Sequence, residues 1–246
     1  MIEGEILGGA EGVPDEAEAA WLAYLGRTVL AEGWRRSGLP VRERSMIAVA
    51  ALATLGCDRQ LQAHIRAAAA AGLDRATLCA VMMQVGGYAG VGRGLDGLCA
   101  VGQALADLPT DGPSQPLEVW SDDEDEDVRL ARGLEVLQLL RPGRDPLGIQ
   151  YPFAPDWRRW LVRTAFGDLW ARRDLTLVER ERVTLAVLVA LGRERELREH
   201  VAIARELGIP ATEIGEELTF LAVYVGFPAV VGALRTAAEV LDEKEG

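Results

Sequence analysis

The stretch Val41-Arg-Glu-Arg-Ser-Met-Ile-Ala-Val-Ala-Ala-Leu-Ala-Thr-Leu-Gly56 returns 136 positions later as Leu177-Val-Glu-Arg-Glu-Arg-Val-Thr-Leu-Ala-Val-Leu-Val-Ala-Leu-Gly192. In the first stretch Val41, Ile47, Ala48, Ala51, Leu52 and Leu55 recur at steps of three and four, the period of a helix. The closing glycine is the residue that most readily ends one. Sliding the chain along itself by the same offset aligns residues 21–105 with 157–241 without a gap. Trp21 falls on Trp157, Trp34 on Trp170, Arg36 on Arg172, Glu43-Arg44 on Glu179-Arg180, His64 on His200, Gly72 on Gly208, and Tyr88-x-Gly90 on Tyr224-x-Gly226. The chain is therefore two copies of one unit.

Within each copy the pattern predicts five helices. A leading helix carries Trp21 to Trp34, or Trp157 to Trp170. The quoted stretch is the next. A third runs from about Asp58 to Ala71 and stops at Gly72, and a fourth, capped by Asp74, runs to Tyr88. The breaks Gly90-Val-Gly92 and Gly226-Phe-Pro228 then turn the chain into a last helix, expected over 95–105 and 230–241. No run alternates between apolar and polar as a strand would, so each copy is expected to be an all-α bundle. Between the copies, Pro109, Pro113, Pro116 and the acidic run 122–127 read as a solvated linker. The expected organisation is a first repeat over 1–108, a linker over 109–126 and a second repeat over 127–246.

With 246 residues the chain can bury a core without disulfide or metal staples. Its 38 acidic and 26 basic side chains give a net charge of -12, which opposes a phosphate backbone and argues against nucleic-acid partners. The longest nearly continuous apolar run, Met46 to Cys57, falls short of the ~20 residues needed to cross a bilayer. The first residues lack the basic-then-apolar order of a signal peptide. A soluble, cytoplasmic protein with no membrane contact is expected. Cys57, Cys79 and Cys99 form no CxxC pair, so neither a disulfide framework nor a zinc cluster is encoded.

Candidate chemistry gathers at the two histidines, His64 and His200, which occupy one register of the repeat. Imidazole is the side chain best suited to exchange protons near neutral pH. In the second copy Glu196 lies four residues before His200 and shares its helix face. Glu181 lies nineteen before it, on the preceding helix, and antiparallel packing would bring that carboxylate to the imidazole. The first copy has Ser45 and Gln60 at these positions. Arg44 and Arg180 either bind a substrate carboxylate through the guanidinium or form structural ion pairs; the sequence leaves both open.

Leu39 to Gly56, then Leu61-Gln-Ala-His64, Ala71-Gly72-Leu73 and Tyr88-Ala-Gly90, resemble the carboxymuconolactone decarboxylase family and its AhpD-like relatives. The second copy is similar, through Phe166-Gly-Asp-Leu-Trp170, Glu179-Arg180, Gly192, Glu196-Leu-Arg-Glu-His200 and Tyr224-Val-Gly-Phe-Pro228. The resemblance implies two tandem AhpD-like helical repeats packed as an intramolecular pseudo-dimer. Single-copy members form rings of six, so three two-copy chains would make a homotrimeric pseudo-hexamer. It also implies loss of CO₂ from a small carboxylate of the carboxymuconolactone type in aromatic-acid breakdown, with no metal or organic cofactor. On that reading His200 moves the proton, Glu181 and Glu196 orient it, and Arg180 and Tyr224 meet the substrate. His64, Arg44 and Tyr88 form the corresponding set of the first copy. The peroxidase branch of the family needs a CxxC pair, which is broken here to Cys57 and Gln60, or Arg193 and Glu196. A thiol route through Cys57 and a non-catalytic, ring-forming small-acid-binding protein are the alternative readings.

Overall fold

The computed structural model describes residues 14–107, 117–121, 123–145 and 151–242. Half of the expected linker, including its three prolines, lies outside the described residues. Eleven helices are described. The first copy holds α1 (Asp15–Tyr24, continuing as a π-helix over Leu25–Trp34), α2 (Val41–Leu55), α3 (Asp58–Ala70), α4 (Arg75–Ala89) and α5 (Val91–Ala104). Next comes α6 (Glu126–Leu140). The second copy holds α7 (Trp157–Leu161, continuing as a π-helix over Val162–Trp170), α8 (Leu177–Ala190), α9 (Glu194–Glu206), α10 (Ala211–Val225) and α11 (Phe227–Asp242). No strand occurs among the described residues.

Local chemistry sets the boundaries. The Asp74 side chain accepts a hydrogen bond from the Thr77 amide at 2.7 Å and caps α4. Thr176 and Glu179 form a reciprocal capping box at the start of α8. Gly56 ends α2 in the left-handed conformation, at φ 72°. The last helices begin at Val91 and Phe227, earlier than the pattern predicts. Gly90 and Gly226, at φ 99° and 86°, make the whole turn in one residue. Pro228 fits the new first turn, where an N–H would have no partner within the helix.

At the centre α2 and α8 pack against each other and against α4 and α10. Arg44 through Thr54 of α2 and Arg180 through Val189 of α8 are buried on every side. An isolated bundle would leave one face of each helix to water; here the other copy covers it, and one core runs through both copies. The expected pseudo-dimer is the observed architecture. The apolar run that starts at Met46 is a central buried helix, and no described helix is long and apolar enough to cross a membrane.

Candidate active site

His200 projects from α9 toward α8, where Glu181 Oε1 lies 2.9 Å from its Nδ1. The imidazole donates through Nδ1–H to that carboxylate, which leaves Nε2 as the nitrogen that can take or give a proton. Tyr88 OH sits 3.3 Å from Nε2, and Trp170 Nε1–H donates to the same hydroxyl at 2.9 Å. The Trp170 ring stacks on the imidazole at 6.1 Å, while the Tyr88 ring meets it edge-on at 5.4 Å. Glu181 is fully enclosed, and the His200 side chain keeps 12% of its surface. Burial raises the Glu181 proton affinity and the neighbouring His200 pulls it down. Burial also holds the Tyr88 phenol protonated, far above its ordinary range. The arrangement is an imidazole oriented by a carboxylate at one nitrogen and open to proton traffic at the other.

Trp170 closes the π-helical segment of α7, and Trp34 closes that of α1. Such wide turns are rare and shift a side chain relative to an α-helical register. In each copy the result is an indole N–H directed at a tyrosine of the other copy. Trp34 Nε1–H donates to Tyr224 OH at 2.9 Å, and that hydroxyl lies 3.1 Å from His64 Nε2. The sequence grouped Tyr88 with His64 and Tyr224 with His200, and the structure exchanges them. The pseudo-dimer packs the end of α4 beside the second copy's histidine and the end of α10 beside the first copy's. Each site is therefore built from both copies.

The two sites differ at Nδ1. His64 Nδ1 donates to the backbone oxygen of Gln60 at 2.8 Å, while Ser45, at the position of Glu181, turns its hydroxyl to Val41 O. Without a carboxylate, burial pushes the His64 pKa down to about 4. The run from Trp34 through Tyr224 and His64 to Gln60 O is a closed, neutral hydrogen-bond chain.

Other expected site residues lie elsewhere. Glu196 is exposed, and Glu181 alone meets Nδ1 of His200. Arg180 is fully buried and committed: its Nη2 donates to Asp174 Oδ1 at 2.6 Å and to Arg172 O at 2.9 Å, and its Nη1 to Gln84 Oε1 at 3.0 Å. Arg44, also buried, donates to Arg36 O. Both guanidiniums hold the turns that precede α2 and α8, Arg180 through its ion pair with Asp174 and Arg44 through the Arg36 carbonyl. Cys57 is exposed at the turn before α3, in the copy that lacks the carboxylate. Sequence reasoning missed Trp34, Trp170 and Gln84. The first two carried a signal, since a tryptophan recurs at one register of both copies. Gln84 carried none, because its counterpart is Phe220.

The profile of the carboxymuconolactone decarboxylase family matches residues 16–101 and again 155–239. The chain belongs to the carboxymuconolactone decarboxylase family. It is 37% identical over 91 residues to a 4-carboxymuconolactone decarboxylase of Acinetobacter baylyi, a match covering 37% of this chain and 68% of that protein. A nitrosuccinic acid decarboxylase of Metarhizium robertsii is 27% identical over 119 residues, covering 43% of this chain and 83% of the relative. The carboxymuconolactone decarboxylase profile covers α2 to α4 and α8 to α10, the helices that supply Glu181, His200 and Tyr88.

Proposed function

We propose that this protein is a carboxy-lyase that removes CO₂ from a carboxymuconolactone-type lactone acid, with the second-copy histidine as its proton-transfer group. The observation that carries the reading is the 2.9 Å contact between Glu181 and His200 Nδ1, formed in one copy only. Both relatives reported above are named as decarboxylases of small acids, which supports the reaction class. In the reaction the bond from carbon to the carboxylate breaks, CO₂ leaves, and the electron pair passes into the unsaturated lactone. A proton from His200 Nε2 then closes the valence of the carbon that receives that density. Glu181 holds the imidazole at Nδ1, and Tyr88, fixed by Trp170, hydrogen-bonds Nε2 and sets its direction. Orientation by a buried, prearranged pair avoids reorganisation during the step. The aromatic walls around His200 would also strip water from the leaving carboxylate and favour its departure as neutral CO₂. The proposal includes assembly as a homotrimer, each two-copy chain standing in for one dimer of a six-membered ring.

Incubation with 4-carboxymuconolactone, with CO₂ release followed for the wild type, His200→Ala and His64→Ala, tests the reading. His200→Ala is expected to lose roughly 10²-fold or more in rate, the scale of general acid catalysis. His64→Ala is expected to stay within about tenfold of the wild type, because its closed network donates no proton. Equal losses in the two variants would refute the assignment to one copy.

A further inference from the structure

The residue one turn before each site tyrosine differs between the copies. On α10 it is Phe220, whose ring meets Trp34 edge-on at 5.2 Å and Tyr224 at 5.5 Å. That position therefore supports the tyrosine–tryptophan pair of the first site through an aromatic cluster. On α4 the same register holds Gln84, and its partner on α8 is Thr184, where α2 has Ala48. Gln84, Thr184 and Arg180 are wholly buried. Arg180 Nη1 donates to Gln84 Oε1 at 3.0 Å, Gln84 Nε2 donates to Thr184 Oγ1 at 3.0 Å, and Thr184 Oγ1 donates to Arg180 O at 2.8 Å. A guanidinium can only donate, so it fixes which end of the amide accepts, and each hydrogen bond of the three has one direction. Asp174 Oδ1 holds the other end of the guanidinium, Nη2, at 2.6 Å. Phe220 shows that the fold accepts an apolar side chain at this register, so packing alone does not call for an amide.

We propose that Gln84 is a positioning residue for the second-copy site: this first-copy amide, clamped to α8 by Arg180 and Thr184, sets where the Tyr88 hydroxyl meets His200 Nε2. The inference rests on the reading of His200 as the proton-transfer group. Tyr88 lies four residues after Gln84, on the same face of α4. Val85, Gly86 and Gly87 come between them, and none has a side chain that can hydrogen-bond. The clamp is therefore the last side-chain hydrogen bonding along α4 before the phenol, whose oxygen stands 2.9 Å from Trp170 Nε1 and 3.3 Å from His200 Nε2. The Thr184 hydroxyl also acts on that phenol. Hydrogen bonds of fixed direction hold a helix at one distance and one rotation, whereas aromatic contacts accept a range of geometries. The directional clamp belongs to the copy in which Glu181 orients the histidine, and the aromatic cluster to the copy whose network is closed.

His64 and His200 are the only histidines of the chain. The imidazole nitrogen signals of the intact, histidine-labelled protein therefore report the contact without any substrate, with His64→Gln assigning them. Tyr88→Phe removes the hydroxyl from Nε2 and is expected to move the His200 Nε2 signal, which sets the reference. Gln84→Leu is expected to move that signal in the same direction, with the His64 signals and the helical circular dichroism unchanged, and to add no movement when Tyr88→Phe is already present. Thr184→Val keeps the shape, removes the hydroxyl that Gln84 holds and is expected to act alike; it decides the matter if Gln84→Leu does not fold. With 4-carboxymuconolactone, Gln84→Leu is expected to lose roughly tenfold in kcat, the worth of one hydrogen bond expressed as rate, with little change in KM. His200 signals that stay in place in Tyr88→Phe or in a folded Gln84 or Thr184 variant would overturn the proposal, as would a shift from Gln84→Leu that persists without the Tyr88 hydroxyl. Moved signals in a protein that releases no CO₂ would count against the decarboxylase reading and leave the positioning role established.

Discussion

His64 and His200 share a register and a tyrosine–tryptophan pair, and they differ in what faces Nδ1: a backbone carbonyl for one, a buried carboxylate for the other. That difference has a consequence for stability that needs no substrate. The folded pKa of His64 is about 4, against 6.5 for a free imidazole. Between these values the unfolded chain binds the proton that the folded chain refuses. The contribution of His64 to stability is therefore complete above about pH 6.5 and is lost as pH falls toward 4, a change of roughly 3 kcal/mol. His64→Gln cannot bind the proton in either state. Its unfolding free energy, from urea titrations between pH 7 and pH 4, is expected to fall less steeply than that of the wild type by up to that amount. Equal slopes would mean that the folded protein accepts the proton and that the closed network opens.

At the scale of elements the tightest joint lies between α6 and the π-helical part of α7. A Cβ on Gly133 would come within 2.2 Å of Val162 O, and one on Gly167 within 2.3 Å of Arg129 O. The two backbones touch, and Arg129 and Arg132 of α6 reach Asp168 beside the joint. Gly133→Ala is expected to cost about 1–3 kcal/mol, as overpacking does elsewhere, and to lower the thermal midpoint. Gly102 of α5 has open space around its Cα, and Gly102→Ala is expected to raise stability by about 0.5–1 kcal/mol through helix propensity. Helix limits were legible in the sequence because they depend on neighbours along the chain: Asp74 caps with Thr77, and Gly56 ends α2 where a glycine is seen to fall. The early start of α5 and α11 was not, because Val91 and Phe227 are exposed and break the apolar period that marks a buried helix face.

Across the whole molecule, the relation between the copies decided what the sequence could reveal. Glu181 was legible as a partner of His200, since both lie in one copy and the spacing of two antiparallel helices brings them together. The exchange of Tyr88 and Tyr224 depends on how the copies dock, which no spacing within a copy records. The same twofold relation leaves a surface unaccounted for. Val91 and Leu95 of α5 are exposed, as are Phe227 and Val231 of α11, and the 136-residue offset maps the first pair onto the second. Four residues separate the members of each pair, so each forms one apolar helix face. An exposed apolar face favours association, and two such faces repeated about an internal axis let one chain meet the next head to tail until a ring closes. On the proposed six-membered ring, three chains would supply the six copies. Light scattering at micromolar concentration is therefore expected to give about three times the 26.6 kDa of the chain. Leu95→Glu with Val231→Glu places a charge on each face and is expected to yield monomers of unchanged helical content. A monomeric wild type would remove the trimer, and a trimer that survives both charges would place its contacts on another face of the chain.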